Sequence, residues 1–263
     1  MALAVCATPI GNLDDVTLRV LAELRDADLV LCEDTRHTRT LLGRHGIDAH
    51  VLSYHEHNEA ARTAELLPRL EAGERIALVT DAGMPGVSDP GARLVRAALD
   101  AGVPVTVLPG PSAVETALVA SGLVAERYQF VGFLPRGAKN WEELAGVPWP
   151  TVAFESPQRL PATLRSLADV DPGREVAVCR ELTKRFEEIV RGSAQELAER
   201  FTESPKGEIT LVIGPGTAES ADEGVALAAV AELVEAGVPR RRAAELIARV
   251  TGIARNRLYR GSL

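Results

Sequence analysis

The sequence predicts an α/β protein: a doubly wound parallel sheet, a second α/β domain built on a mixed sheet, and a small helical domain at the end. Three observations support this class. Short apolar runs alternate with helical runs through residues 1–114, the pattern of βα units whose helices cover both faces of a parallel sheet. In 115–214 the apolar runs come closer together, with only two clear helices between them. The stretch GPGTAESADEG, 214–224, then reads as a linker, and the tail 215–263 ends in short basic helices.

In chain order, LAVCATPI is a strand, and Asp14 or Asp15 is placed to cap the helix VTLRVLAELRDA. Residues 28–32 form a strand, 35–45 a helix closed by Gly46, 51–54 a short strand, and 56–72 a helix ending before Gly73. Residues 76–80 read as a buried parallel strand, Pro90 fits the first turn of the helix GARLVRAALDA, and 103–108 is the fifth strand. In the second domain 128–134, 151–155, 175–181, 186–191 and 208–213 read as strands, with helices at 157–167 and 194–201. The fourth of these runs follows the third closely enough for a hairpin. Helices at 225–236, 240–251 and 254–259 resemble a helix-turn-helix, or else a basic tail that docks on the body.

Composition narrows the function. Aromatics are only 4% of the chain, so a broad base-stacking platform is not expected. No apolar run approaches the roughly 18 residues of a membrane span. The opening MALAVCATPIGN is short, lacks a basic leader and reads as a strand and not a signal peptide. Cys6, Cys32 and Cys179 each lie in an apolar run and read as buried residues of a protein in the reducing cytoplasm. The net charge of −8 argues against a general DNA or RNA binder, yet 237–263 carries seven Arg against Glu245 alone. That leaves a body at −14 with a tail at +6, a charge split that points to local contact with a polyanion.

Chemistry in an open parallel sheet belongs beyond the carboxyl ends of the strands. The loops there are TPIGN, EDTRHT, TDAGMPGVSDPG and PGPSA, rich in residues that let backbone approach a ligand closely. Together they point to a cofactor cleft, but neither GxGxxG after a strand nor GxxxxGK[ST] is present. His55 and His57 flank Glu56, but HxH without a third ligand reads as a solvated helix start, and no metal is expected.

TPIGNLDDVTLR, EDTRHTRTLL, TDAGMPGVSDPG, LPGPSAVETAL, FVGFLPR, FESPQRL, CRELTKRFEE and KGEITLVI resemble, in order, the tetrapyrrole-methylase fold family. Within it they are most similar to the ribosomal RNA branch, and GVPRRRAAELIARVTGIARNRLYR resembles the helical domain that closes that branch. The resemblance implies an S-adenosylmethionine-dependent enzyme. It would methylate the ribose 2′-hydroxyl of a cytidine in the decoding centre of small-subunit ribosomal RNA, within the small subunit. It also implies a homodimer, with the cofactor in a cleft between the two α/β domains. Methyl transfer from a sulfonium is an in-line displacement that needs orientation and a proton acceptor, not a protein nucleophile.

On this resemblance Asp81 contacts the cofactor, or instead caps its own turn; Pro9, Ala82, Gly83, Ser112 and Ala113 shape the backbone around it. Phe154, Glu155, Leu182 and Thr210 follow from the second domain by resemblance. Glu33, Asp34, Glu155, Glu181 and Lys184 all follow strands and could accept the proton; of these Glu33, Asp34 and Lys184 are the candidates for catalysis, although Glu33 and Asp34 with Arg36 could form a loop-fixing ion pair. Arg36, Arg39, Arg136, Lys139, Arg185, Arg240, Arg241 and Arg242 are the candidates for RNA phosphate, or ordinary surface charges. Two other functions fit the class less well. A tetrapyrrole or corrin methylase does not need the basic tail, and a non-catalytic nucleotide sensor or ribosome scaffold would transfer nothing.

Overall fold

Alternation of large and small apolar residues builds the first sheet. Its strands are β1 (Leu3–Cys6), β2 (Leu29–Cys32), β3 (Val51–Ser53), β4 (Ile76–Leu78) and β5 (Val105–Leu108). The order is β3-β2-β4-β1-β5, with every pairing parallel. One face presents Leu3, Val5, Leu29, Leu31, Ile76 and Leu78 to Leu66 and Leu70 of α3 (Glu59–Glu71) and to Leu94 of α4 (Ala92–Asp100). The other presents Ala4, Cys6, Val30, Cys32 and Ala77 to Val20 and Leu24 of α1 (Leu18–Asp26) and to Leu42 of α2 (Thr35–Arg44). Both faces are therefore covered, as a parallel sheet requires. The computed structural model describes residues 2–134, 144, 146–216, 223–251, 253 and 255–262.

The second sheet runs β6-β7-β10-β8-β9, with β6 (Gln129–Phe133), β7 (Thr151–Glu155), β8 (Glu175–Arg180), β9 (Glu188–Ser193) and β10 (Ile209–Ile213). Helix α5 (Ala113–Ser121) precedes it, and α6 (Leu160–Val170) and α7 (Ala194–Arg200) lie between its strands in sequence. Strands β6 and β7 are parallel, whereas β8 and β9 are neighbours joined by residues 181–187 alone, too few for a parallel crossover. The sheet is mixed, as expected.

By compactness the chain divides into two units. One holds Met1–Gly122, Val178–Ile189 and Gly207–Thr210; the other holds Leu123–Ala177, Val190–Lys206 and Leu211–Leu263. The last three helices, α8 (Glu223–Glu235), α9 (Arg240–Thr251) and α10 (Arg255–Gly261), share a core of Ala226, Val230, Ala243, Ala244 and Leu258. Cys6, Cys32 and Cys179 are buried free thiols. Burial, helped by the charge of Glu23, pushes Cys6 up to about 12, so it stays an inert thiol.

Three local expectations need correction. Thr17, and neither Asp14 nor Asp15, caps α1: its side chain accepts from the Val20 N–H, and Asp14 and Asp15 belong to a 3-10 turn capped by Asn12. Pro90 lies outside α4, because Gly91 forms the cap at φ 140. A Cβ there would come within 3.0 Å of Leu78 Cδ2 and 3.2 Å of the Gly86 nitrogen. The run expected as a strand at 186–191 starts at Glu188, because residues 181–187 form a tightly bonded loop.

Candidate functional site

The parallel topology brings the loops after β1 and β4 together. The chain steps outward from β1 to β3 and returns to place β4 beside β1. Thr8 and Gly83 then form an isolated antiparallel bridge, with Thr8 N–H donating to Gly83 O at 2.8 Å and Gly83 N–H to Thr8 O at 3.1 Å. The Thr8 hydroxyl adds a bond to Thr80 O at 2.9 Å. Gly83 sits at φ +80, so the bridge needs a residue free to adopt left-handed backbone. The loop after β5 is seated as closely: a Cβ on Gly110 would lie 2.9 Å from Ala7 Cβ. The stretch TDAGMPGVSDPG is thus held by its backbone against the end of β1. Buried Pro9 and half-buried Asp81, Ala82, Ser112 and Ala113 all stand at this edge of the sheet.

Carboxylates gather at the same edge. Asp81 Oδ1 accepts from the Asp34 N–H at 3.1 Å, tying the loop after β4 to the loop after β2. Glu33 accepts from the Thr80 hydroxyl at 3.4 Å, and burial, with the charge of Asp81, raises its pKa. Asp34 behaves oppositely. It caps α2, and its hydrogen bonds from Arg36 hold it at about 2. The bond from Arg36 Nη2 to Asp34 Oδ2 is 2.9 Å. Of the pair Glu33 is the better proton acceptor, and Asp34 is the loop-fixing ion pair.

Asp89 was not singled out by sequence. It lines, with Glu33, Glu56, Glu59 and Arg93, a depression of about 820 Å³. Burial above all, with the charges of Glu33 and Asp81, pushes it up to about 6. The folded state therefore holds a proton between about pH 4 and pH 6 that the unfolded chain has released, so stability falls as pH rises through that window. Asp89→Asn is expected to raise the melting temperature at about pH 7.5 and to lose that advantage near pH 4. Melting curves of both proteins at the two pH values check this; an equal offset at both would mean that Asp89 does not titrate so high.

Residues 181–184 and 207–208 form a clamp. Glu181 and Thr183 adopt positive φ, 52 and 64. The Glu181 carboxylate accepts from Lys184 Nζ and from the Glu208 N–H, both at 3.0 Å, and Lys184 also meets Glu208 Oε2 at 3.0 Å. Gly207 makes room for it: a Cβ there would lie 2.4 Å from Glu181 Cγ. Thr183 N–H donates to Glu187 at 2.6 Å, and its hydroxyl accepts from the Asn12 N–H at 3.0 Å. Gly11 packs so closely that a Cβ would lie 2.8 Å from Leu182 O. The clamp thus seats buried Leu182 against the loop after β1. Lys184 is raised in pKa by its two carboxylate partners against the opposing effect of burial, so it is an anchored cation and a poor base.

Comparison with known proteins places this architecture. The model of the Tetrapyrrole (Corrin/Porphyrin) Methylases matches residues 2–198. A ribosomal RNA small subunit methyltransferase I of Mesorhizobium japonicum is 44% identical, over 98% of this chain and 90% of that protein. Its namesake from Synechocystis is 42% identical over 99% and 97%. The chain belongs to the ribosomal RNA small subunit methyltransferase I family. At the level of fold alone it is similar to uroporphyrin-III C-methyl transferase from Thermus thermophilus, solved with S-adenyl homocysteine. That likeness has a TM-score of 0.58 at 22% identity, over 81% of this chain and 96% of that one.

The remaining candidates of this family member fall in several places. Phe154 packs edge-on against Phe130 and Phe133, with centroids 5.0 and 5.6 Å away. Glu155 is fully occupied inside its own unit: it accepts from the Thr163 hydroxyl at 2.6 Å and the Ser156 N–H at 2.8 Å, and pairs with Arg159 at 3.2 Å. Only its backbone is left for a ligand. Thr210 is buried. Arg36 and Arg39 are exposed on α2, and Arg185 is exposed in the clamp loop. Arg136 and Lys139 lie outside the described residues. Arg240 is half-buried, Arg241 exposed, and Arg242 pairs with Glu245 at 3.1 Å. The unforeseen members, Asn12 and Gly207, lay inside the quoted motifs, and Glu181, a candidate proton acceptor by sequence, is an anchor bonded by Lys184 and the Glu208 N–H; pairing CRELTK with KGE would have been the signal.

Proposed function

We propose that this protein transfers the methyl group of S-adenosylmethionine to the ribose 2′-hydroxyl of a cytidine in the decoding centre of small-subunit ribosomal RNA. We further propose that it acts as a cytoplasmic homodimer on the small subunit. The observation that carries the reading is likeness, over nearly the whole chain, to proteins named ribosomal RNA small subunit methyltransferase I. Among the described residues no helix is long and apolar enough to cross a membrane.

The residues fit the cofactor. Gly83, Gly110 and Gly11 bring backbone into positions that a side chain would obstruct or strain, and Asp81 adds a carboxylate suited to a sulfonium. The bound cofactor supplies the electrophilic methyl. The backbone at Pro9, Ala82, Gly83, Ser112 and Ala113 holds it, with Phe154, Glu155, Leu182 and Thr210 as the further contacts. Glu33, a carboxylate whose proton affinity is raised by burial, accepts the proton of the 2′-hydroxyl; Asp34 and Lys184 keep the loops in place. Arg36, Arg136, Lys139, Arg240, Arg241 and Arg242 supply phosphate contacts, and Arg185 is a further RNA contact.

Incubating the protein with methyl-labelled S-adenosylmethionine and undermethylated small subunits is expected to label the RNA at one cytidine ribose, located by nuclease digestion and mass spectrometry. Label in a tetrapyrrole instead, or in nothing, would overturn the reading.

A further inference from the structure

The clamp loop ends in a side chain that neither the fold nor the chemistry so far explains. Phe186, one of five phenylalanines in the chain, is 65% exposed. A single exposed apolar residue is ordinary on a protein surface. This one differs in how it is held. The loop carries left-handed backbone at Glu181 and Thr183 and is bonded at both ends, through Glu181, Lys184 and Glu208 on one side and Glu187 to Thr183 on the other. Arg180 closes the base of the loop on Glu188 at 3.1 Å. A ring on such a loop loses little freedom when it is covered.

Arg185 stands over the ring, its guanidinium carbon 5.5 Å from the centroid. Of its acidic neighbours, Glu187 accepts from the Thr183 N–H and keeps a charge that offsets that of Arg185, and Glu188 pairs with Arg180. Lys184 is matched by Glu181 and Glu208. The free chemistry of the tip is therefore one aromatic face and one guanidinium plane, with little net charge. A nucleobase stacks on both kinds of surface. The tip is also near the candidate chemistry, since Thr183, three residues before Phe186, bonds Asn12 in the loop after β1.

We propose that Phe186 and Arg185 form a stacking platform for an unpaired base of the RNA substrate, which places the target ribose relative to the loops of the sheet edge. The proposal rests on the RNA-methyltransferase reading above. Because the contact is to a base and not to phosphate, it contributes affinity that salt leaves largely unchanged.

The test measures methyl transfer to small ribosomal subunits by the full-length protein and three variants. Phe186→Ala and Phe186→Leu are each expected to lower kcat/KM for subunits by at least about fivefold, the loss of one stacked base, at low and high salt alike. Phe186→Trp is expected to keep activity within about twofold, because the indole offers a larger face. Calorimetry is expected to show unchanged S-adenosylmethionine affinity, and light scattering an unchanged mass. Activity in Phe186→Ala or Phe186→Leu equal to the parent would overturn the proposal and leave the RNA reading intact. A change of mass in Phe186→Ala would overturn it by assigning the ring to an interface between copies. If the parent protein itself labels no RNA, the functional reading fails and the platform fails with it.

Discussion

Gly11→Val is expected to lower S-adenosylmethionine affinity by about tenfold or more, together with a fall in melting temperature of about 3–10 °C. The cause is the seam between the loop after β1 and residues 182–184. A Cβ at Gly11 would stand 2.5 Å from Lys184 Cγ, 2.7 Å from Thr183 Oγ1 and 2.8 Å from Leu182 O. The lysine stem can swing aside, but Leu182 O is backbone and Thr183 is pinned by Glu187 and by its own left-handed conformation. The added side chain must therefore push the two loops apart and break the Asn12–Thr183 bond. Overpacking of this kind costs about 1–3 kcal/mol, and at this chain length each kcal/mol moves the melting temperature by about 2–4 °C. Scanning fluorimetry with calorimetric titration checks both parts. Full affinity in a destabilised variant would show that the seam supports the fold without shaping the cofactor site.

Removing the basic helices is expected to weaken subunit binding and flatten its salt dependence, with each lost phosphate contact lowering the log–log slope by about 0.7–0.9. The end point of the deletion matters. A stop at residue 237 would strip Ala226 and Val230 of the partners they bury against on α9 and α10. Deleting 223–263 removes the whole helical cluster with its own core. The milder variant replaces Arg241, Arg249 and Arg260, all exposed, by alanine. It is expected to change the slope in the same direction by less. Cofactor affinity should be unchanged in both, because the candidate loops lie in the body. Filter binding across a salt series, with a melting curve for each protein, separates this from a tail that merely caps the body. That outcome would lower stability and leave the slope as it was.

Local and periodic features were legible in the chain. Short apolar runs between helical ones, as in LAVC, LVLC and IAL, were enough to place the strands of the parallel sheet, because burial on both faces demands continuous apolar character. Glycine-rich loops at strand ends marked the edge of the sheet that carries the proposed site, and the order of motifs named the family. The tertiary structure decided what depends on partners distant in the chain. Nothing near Asn12 announces that its N–H will meet Thr183, 171 residues away, or that Gly11 must lack a side chain for that to happen. CRELTK and KGE were visible as motifs, yet only folding shows that Gly207 exists to admit the Glu181 carboxylate. Charge state was equally hidden. Glu33 and Asp34 are adjacent, but burial raises one while Arg36 lowers the other, and burial is a property of the packed protein. A side chain's type is written in the chain; its solvent, its neighbours and hence its chemistry are set only when distant segments close around it.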